Sequence, residues 1–287
     1  MATAIRSLPR KRRGRHSPLP GLGLTLTVTI LWLTILLLLP LVALVAKSVT
    51  LGPGHFVEAA FSRRAIASYE LSFGAALVAS AINAVFGLLV AWVLVRYRFP
   101  GKRVVDAMVD LPFALPTAVA GIALTTLYAP NGWIGGLLAP LGLKIAYTPL
   151  GIIVAMIFIG LPFVVRTVQP VMEEIDREVE EAAATLGARR AQAVRRVILP
   201  GLAPAILTGF ALAFARAVGE YGSVIFIAGN IPYVSEIAPL LIVIRLEEYN
   251  YAAATAIATV MLAISFAMLF VINLIQAWSR RRYGYGG

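Results

Sequence analysis

The chain of 287 residues contains no cysteine. Disulfides, thiol nucleophiles and zinc–thiolate sites are therefore excluded. Histidine is nearly as scarce, and His16 and His55 both lie outside the long apolar runs. Charged residues make up 14% of the chain against 60% hydrophobic ones, and mean hydropathy is +0.85. That balance belongs to a polytopic membrane protein, not to a soluble globular domain. Only four lysines occur, and Lys102 alone follows a glycine. Position 96, where a phosphate-binding loop would need its first glycine, is Arg96, and Arg103 stands where Ser or Thr is required. The chain lacks the intramembrane polar residues that a membrane protease, a haem site or a proton relay needs. It is expected to be no enzyme and to carry no cofactor or metal.

Six apolar runs fill most of the length, at about 24–46, 68–95, 104–128, 149–168, 203–227 and 251–277. Runs of this length read as bilayer-crossing helices, so the fold class is all-α with six transmembrane helices. The first run is too long for a signal peptide core and is read as an uncleaved span. A basic tail over 1–23 precedes it, with Arg6, Arg10, Lys11, Arg12, Arg13 and Arg15. This cluster reads as a topology determinant touching anionic membrane lipid, and no nucleic-acid partner is expected. One six-span transmembrane domain over 24–279, with the polar central loop over 169–201, and a short tail over 280–287, opening with Arg280, Arg281 and Arg282, complete the division. Nineteen of the 25 basic residues fall in segments assigned to the cytoplasm and five in segments assigned outside. That asymmetry orients both termini inward.

Within this layout a few residues stand out. Asp106 and Asp110 open the third run beside Lys102 and Arg103, so dipole and ion pairing account for them better than a proton or metal site. Pro112 and Pro116 are expected to kink that helix. Trp133 and Tyr147 sit like interfacial aromatics in the loop over 129–148. The apolar run over 237–244, flanked by Glu236, Arg245, Glu247 and Glu248, reads as a gate, a docking surface or a re-entrant packing element. Arg216 and Glu220, one turn apart, are the charged pair placed well inside a span, and are candidates for lining or gating a pathway.

The central stretch over 169–201 separates two apolar runs and is the most polar part of the chain. Six acidic residues crowd 173–181, followed by Arg189, Arg190, Arg195 and Arg196. Ile175, Val179, Ala182, Ala183 and Leu186 recur at helical spacing as a narrow apolar stripe. Gly187 follows in the position that a left-handed helix C-terminus favours. A second short helix is expected from Ala188, stopped by Pro200. DNA binding would suit the basic second helix, but both ends are tethered to membrane spans. A helix lying in the lipid interface would bury larger residues than alanine. A docking element, whose small stripe lets another protein approach closely, remains. Glu181, Ala182, Ala183, Gly187, Val197, Leu199 and Pro200 resemble the EAA motif of bacterial ABC importer permeases, with Val197 in place of the usual isoleucine. The resemblance implies a coupling helix that seats in a cleft of a separate ATPase subunit.

From Gly219 onward the sequence, with GEYG, AGNIP and SEIAPLLIVIRLEEYNY, is similar to the T-type permeases of bacterial sulfate/thiosulfate importers. Molybdate permeases share the first two of these motifs and usually diverge at the third. The resemblance covers most of the chain beyond the first twenty residues. It implies a type I ABC importer permease fold in the bacterial inner membrane. The implied partners are a homologous W-type permease, two ATP-binding cassette ATPase subunits and a periplasmic sulfate-binding protein that sets most of the selectivity. The rival class is a secondary transporter, which would place ionisable residues at mid-membrane on several spans, whereas Arg216 and Glu220 share one. A membrane assembly protein without transport activity would have no reason to carry a coupling element.

Overall fold

The computed structural model describes residues 21–175 and 177–283, and helix is the only regular secondary structure among them. The chain falls into two units, residues 1–46 and 47–287. In the first, the described part belongs to one apolar helix, α1 (Leu22–Val49), which winds as a π turn over Thr34–Leu38. The basic cluster over 6–15 and Ser17 lie outside the described residues.

The second unit opens with a short helix, α2 (Pro53–Ala60), and a long one, α3 (Arg63–Arg96). Ser62 starts α3 by accepting the Ala65 N–H at 3.3 Å, and Gly101 at φ +81° turns the chain after it. Among the described residues, four more helices are long and apolar enough to cross a bilayer in company with α1, namely α3, α7 (Pro149–Glu174), α9 (Arg190–Val218) and α11 (Tyr251–Tyr283, apolar to Trp278). All four overrun the expected spans, α3 from Arg63, α7 to Glu174, α9 from Arg190 and α11 into the expected tail, while α9 stops at Val218 instead of 227.

The third expected span is not continuous. It is built of α4 (Lys102–Val109), α5 (Leu111–Ala114) and α6 (Thr117–Tyr128). Pro116 has no N–H to continue the ladder and drives Leu115 into an extended conformation, φ −86° and ψ 133°. The two prolines therefore break the helix where a kink was expected. At 1.5 Å per residue α6 covers about 18 Å, short of the ~30 Å hydrocarbon layer.

Helix α7 lies at the centre, packed along α3 on one side and α9 on the other. Val164 is a point of close approach to both: a Cβ on Gly87 of α3 would come within 2.7 Å of its Cγ1, and one on Gly209 of α9 within 2.8 Å of its Cα. Small residues allow such crossings where lipid supplies no hydrophobic drive between helices. One apolar cluster, including Leu94, Val109, Val168, Met172, Ile198 and Leu202, fills the end of the bundle next to the central loop. A second, including Tyr69, Phe73, Ile152, Phe214, Ile227 and Leu241, fills the rest.

The run over 237–244 is resolved by its burial. Most of it forms α10 (Ala238–Glu247), and Ile237, Ala238 and Leu241 are fully buried. Each large apolar side chain buried this way stabilises by about 1.5–3 kcal/mol. The Ala238 N–H donates to Ser72 Oγ at 2.8 Å, and Glu236 takes a two-pronged grip from Arg64, at 2.8 Å from Nε and 2.6 Å from Nη2. The segment is a packing element of the bundle.

Candidate functional site

The central loop begins as α7 ends. Ile175, expected on the striped helix, is extended instead (φ −76°, ψ 106°) and packs partly buried against the inner cluster. Its carbonyl accepts from Arg96 Nη2 at 3.4 Å. The striped helix itself is α8 (Arg177–Thr185). Leu186 lies past its end and is 88% exposed, so it adds nothing to a stripe. Glu181 and Ala182 are exposed and Ala183 half-buried. Gly187 has φ +85°, and the Ala188 N–H returns to the Ala183 carbonyl at 3.0 Å, the bond that closes a Schellman turn. A Cβ on Gly187 would meet no atom within 4 Å, so only its backbone conformation calls for glycine.

After this turn the chain differs from expectation. No separate second helix is stopped by Pro200. Arg189 is extended, its N–H held by the Gln192 side chain at 2.8 Å, and α9 then runs unbroken from Arg190 through Pro200 to Val218. A π turn over Val194–Ile198 makes this possible, with the Leu199 N–H reaching back to the Val194 carbonyl. Proline lacks the donor for the carbonyl four residues earlier, and a wider turn just before it relieves the mismatch. Val197 lies in the π turn, and Leu199 and Pro200 open the regular helix beyond it. The motif residues are thus split between an exposed helix with its cap and the root of a membrane span.

Asp106 and Asp110 are paired, but not with Lys102 or Arg103. Both bind Arg166, an arginine inside the fourth apolar run. Arg166 Nε and Nη2 grip the two carboxylate oxygens of Asp110 at 2.8 and 2.6 Å. Nη1 donates to Asp106 Oδ1 at 2.6 Å and to Gln169 Oε1 at 2.7 Å, and Nη2 also reaches the Asp106 carbonyl at 2.9 Å. An ionisable side chain in an apolar run is the signal that could have pointed here. Its partners, 56 and 60 residues away, are not written in local spacing.

Arg216 and Glu220 do meet, at 2.5 Å between Nη1 and Oε2. They lie farther along than expected, because α9 ends at Val218 and Arg216 occupies its last turn. Counting from Leu199 at 1.5 Å per residue, Arg216 lies about 25 Å along the span. There its charge faces the negative end of the helix dipole. Glu220 is buried and also accepts from Ser223 N–H and Oγ at 2.8 and 3.0 Å. It therefore ties the turn after α9, and that turn presses on α6: a Cβ on Gly121 would sit 2.4 Å from the Ser223 carbonyl oxygen. Arg216 keeps its side chain one-third exposed.

Residues 83–285 match the family model for the binding-protein-dependent transport system inner membrane component. A protein of Synechocystis named sulfate transport system permease protein CysT is 55% identical over 243 residues, covering 85% of each chain. Its namesake in Escherichia coli is 52% identical over 244 residues, 85% of this chain and 88% of that one. Among solved structures, a bacterial alginate ABC transporter in complex with an alginate pentasaccharide-bound periplasmic protein aligns with TM-score 0.71 at 22% identity, over 93% of this chain and 96% of that one. At that identity the likeness is one of fold. Long apolar helices, a polar loop between two of them and a family match spanning both agree, and this multi-pass membrane chain belongs to the family of binding-protein-dependent transport system inner membrane components.

Proposed function

We propose that the chain is the T-type permease subunit of an ATP-driven importer for sulfate and thiosulfate. It would lie in the bacterial inner membrane with both termini and the central loop in the cytoplasm. A homologous W-type permease, two ATPase subunits and a periplasmic sulfate-binding protein complete the assembly. The observation that carries this reading is identity above 50%, over about 85% of each chain, with proteins named as sulfate transport permeases.

The geometry supports the division of labour. The chain offers an exposed, rigidly capped helix to an ATPase, with Glu181, Ala182, Ala183 and Gly187 on α8 and its cap, and Val197, Leu199 and Pro200 linking it to a span. Alanine at the contact lets a partner's backbone come close. At the other end of α9, Arg216 presents a partly exposed cation to a passing dianion while Glu220 prevents it from becoming a trap. Selectivity for the anion then rests mainly with the binding protein, and the permease supplies the route.

The test is reconstitution of the complex in vesicles with the anion-loaded binding protein. Uptake of radiolabelled sulfate that requires ATP and is competed by thiosulfate is the expected result. Uptake of molybdate in preference to sulfate would reassign the substrate. Uptake by this chain without an ATPase would reassign the class.

A further inference from the structure

All five N–H donors of the Arg166 guanidinium are occupied, and one bond among them has a specific cause. In a continuous helix the Asp106 carbonyl would accept the Asp110 N–H. Here that N–H turns to the Ala107 carbonyl at 3.1 Å, because α4 ends at Val109. The carbonyl left open by the break is the one that Arg166 Nη2 fills, while the same guanidinium grips the carboxylate of Asp110 at the break itself. Arg166 therefore holds the third span in its broken form from the neighbouring helix.

The other side of Arg166 leads toward the loop. Gln169, about one turn on, accepts from Arg166 Nη1, and its Nε2 donates to Glu173 Oε1 at 3.4 Å. Residues 166, 169 and 173 follow the i, i+3 and i+4 spacing of one helix face. Glu173 stands two residues before Ile175, where α7 gives way to the segment carrying α8. A single ladder of hydrogen bonds thus runs from the root of the coupling element to the break in the third span.

We propose that Arg166 and Gln169 are positioning residues for transport: they transmit displacement of the coupling element to the α4–α5 break. The proposal rests on the importer reading given above. Gln169 is the joint that separates transmission from mere stability. Its loss leaves four of the five Arg166 bonds in place, so the fold keeps its aspartate anchors while the link to Glu173 is cut. Lysine at 166 keeps the charge but has three donors and no planar fork, so it cannot span Asp110, Asp106 and Gln169 together.

The experiment uses the whole complex in vesicles and measures ATP hydrolysed per sulfate imported, with the amount of assembled complex determined in parallel. Gln169→Leu is expected to assemble normally and to raise that ratio about threefold or more, in line with coupling energies carried by such networks. Arg166→Lys is expected to raise it at least as much. A purely structural role would lower hydrolysis and uptake together, in proportion to lost complex, with the ratio unchanged. That outcome, or both variants coupling like wild type, overturns the proposal. Failure of the wild-type complex to import sulfate would instead remove the importer reading on which it stands.

Discussion

Replacing Gly187 with valine isolates one term in the proposed coupling element. The residue sits at φ +85° with open space where a Cβ would project, so no steric clash with neighbours enters. What remains is torsional: an L-residue in the left-handed region costs about 1–2 kcal/mol, and a β-branched one at least as much. If the backbone escapes that strain, the bond from the Ala188 N–H to the Ala183 carbonyl is lost, worth about 0.5–1.5 kcal/mol. Escape and strain are alternatives, so the smaller sets the cost at about 0.5–1.5 kcal/mol, roughly a 2- to 13-fold fall in the ratio of loops with α8 aligned to α9 to those without. The nine-residue α8 is too short to hold itself in place by intrinsic helix stability. The assay is co-purification of the ATPase, followed by hydrolysis stimulated by the loaded binding protein. Gly187→Val should insert normally and lose most of that stimulation, Gly187→Ala should fall between, and Gly187→Asn should stay near wild type because asparagine tolerates the left-handed region. Equal defects in the Asn and Val variants, or none in either, would refute the conformational argument.

Three further outcomes follow from described contacts. Because the chain has no natural cysteine, single cysteines at Ser17 and Ala188 should be shielded from an impermeant thiol reagent in intact cells, while those at Lys144 and Asn250 should react; labelling at Ala188 contradicts the assigned topology. Arg64→Ala strands the buried carboxylate of Glu236, so it should lower the melting temperature in detergent by an amount corresponding to about 3–5 kcal/mol, and Arg64→Ala/Glu236→Ala should restore part of it; a double variant less stable than the single would exclude a stranded charge as the cause. Arg216→Gln/Glu220→Gln removes both charges while the glutamine retains an oxygen for Ser223, so the complex should assemble yet import sulfate poorly; full uptake by this variant takes the pair out of the pathway.

Much of the layout was legible because it depends on local rules. Apolar length located five of the six expected spans as helices long enough to cross, and a glycine after the last turn of a striped helix located the left-handed cap at Gly187. What escaped was long-range or cooperative. Asp106 and Asp110 look outward to Lys102 and Arg103 in sequence, yet the fold brings Arg166 to both. Glu236 and Arg64 lie 172 residues apart, beyond any spacing argument. Proline was misread in both directions. Pro116, next to Leu115 in an extended conformation, broke a helix expected to kink, whereas Pro200, preceded by a π turn, let pass a helix expected to stop. Which happens depends on whether the preceding turn can widen, and that is decided by packing around it. Span edges shifted for a related reason: Glu174 and Arg190 extend helices beyond the ends that the apolar stretches alone had set, while the fifth helix stops at Val218, short of the expected 227.

The π turn over Val194–Ile198 also has a mechanical meaning. A five-residue widening inside an otherwise continuous rod is a place where it can bend, and it sits at the root of the membrane-embedded arm. The arm beyond it, from Leu199 to Val218, is about 30 Å long at 1.5 Å per residue. A tilt of about 5° at that joint swings the far end sideways by roughly 2.5 Å over such a length, more than the breathing of a close-packed interior allows. Arg216 rides at the tip of that arm, so a small rotation at the end beside the central loop becomes a displacement of a charge about 25 Å away.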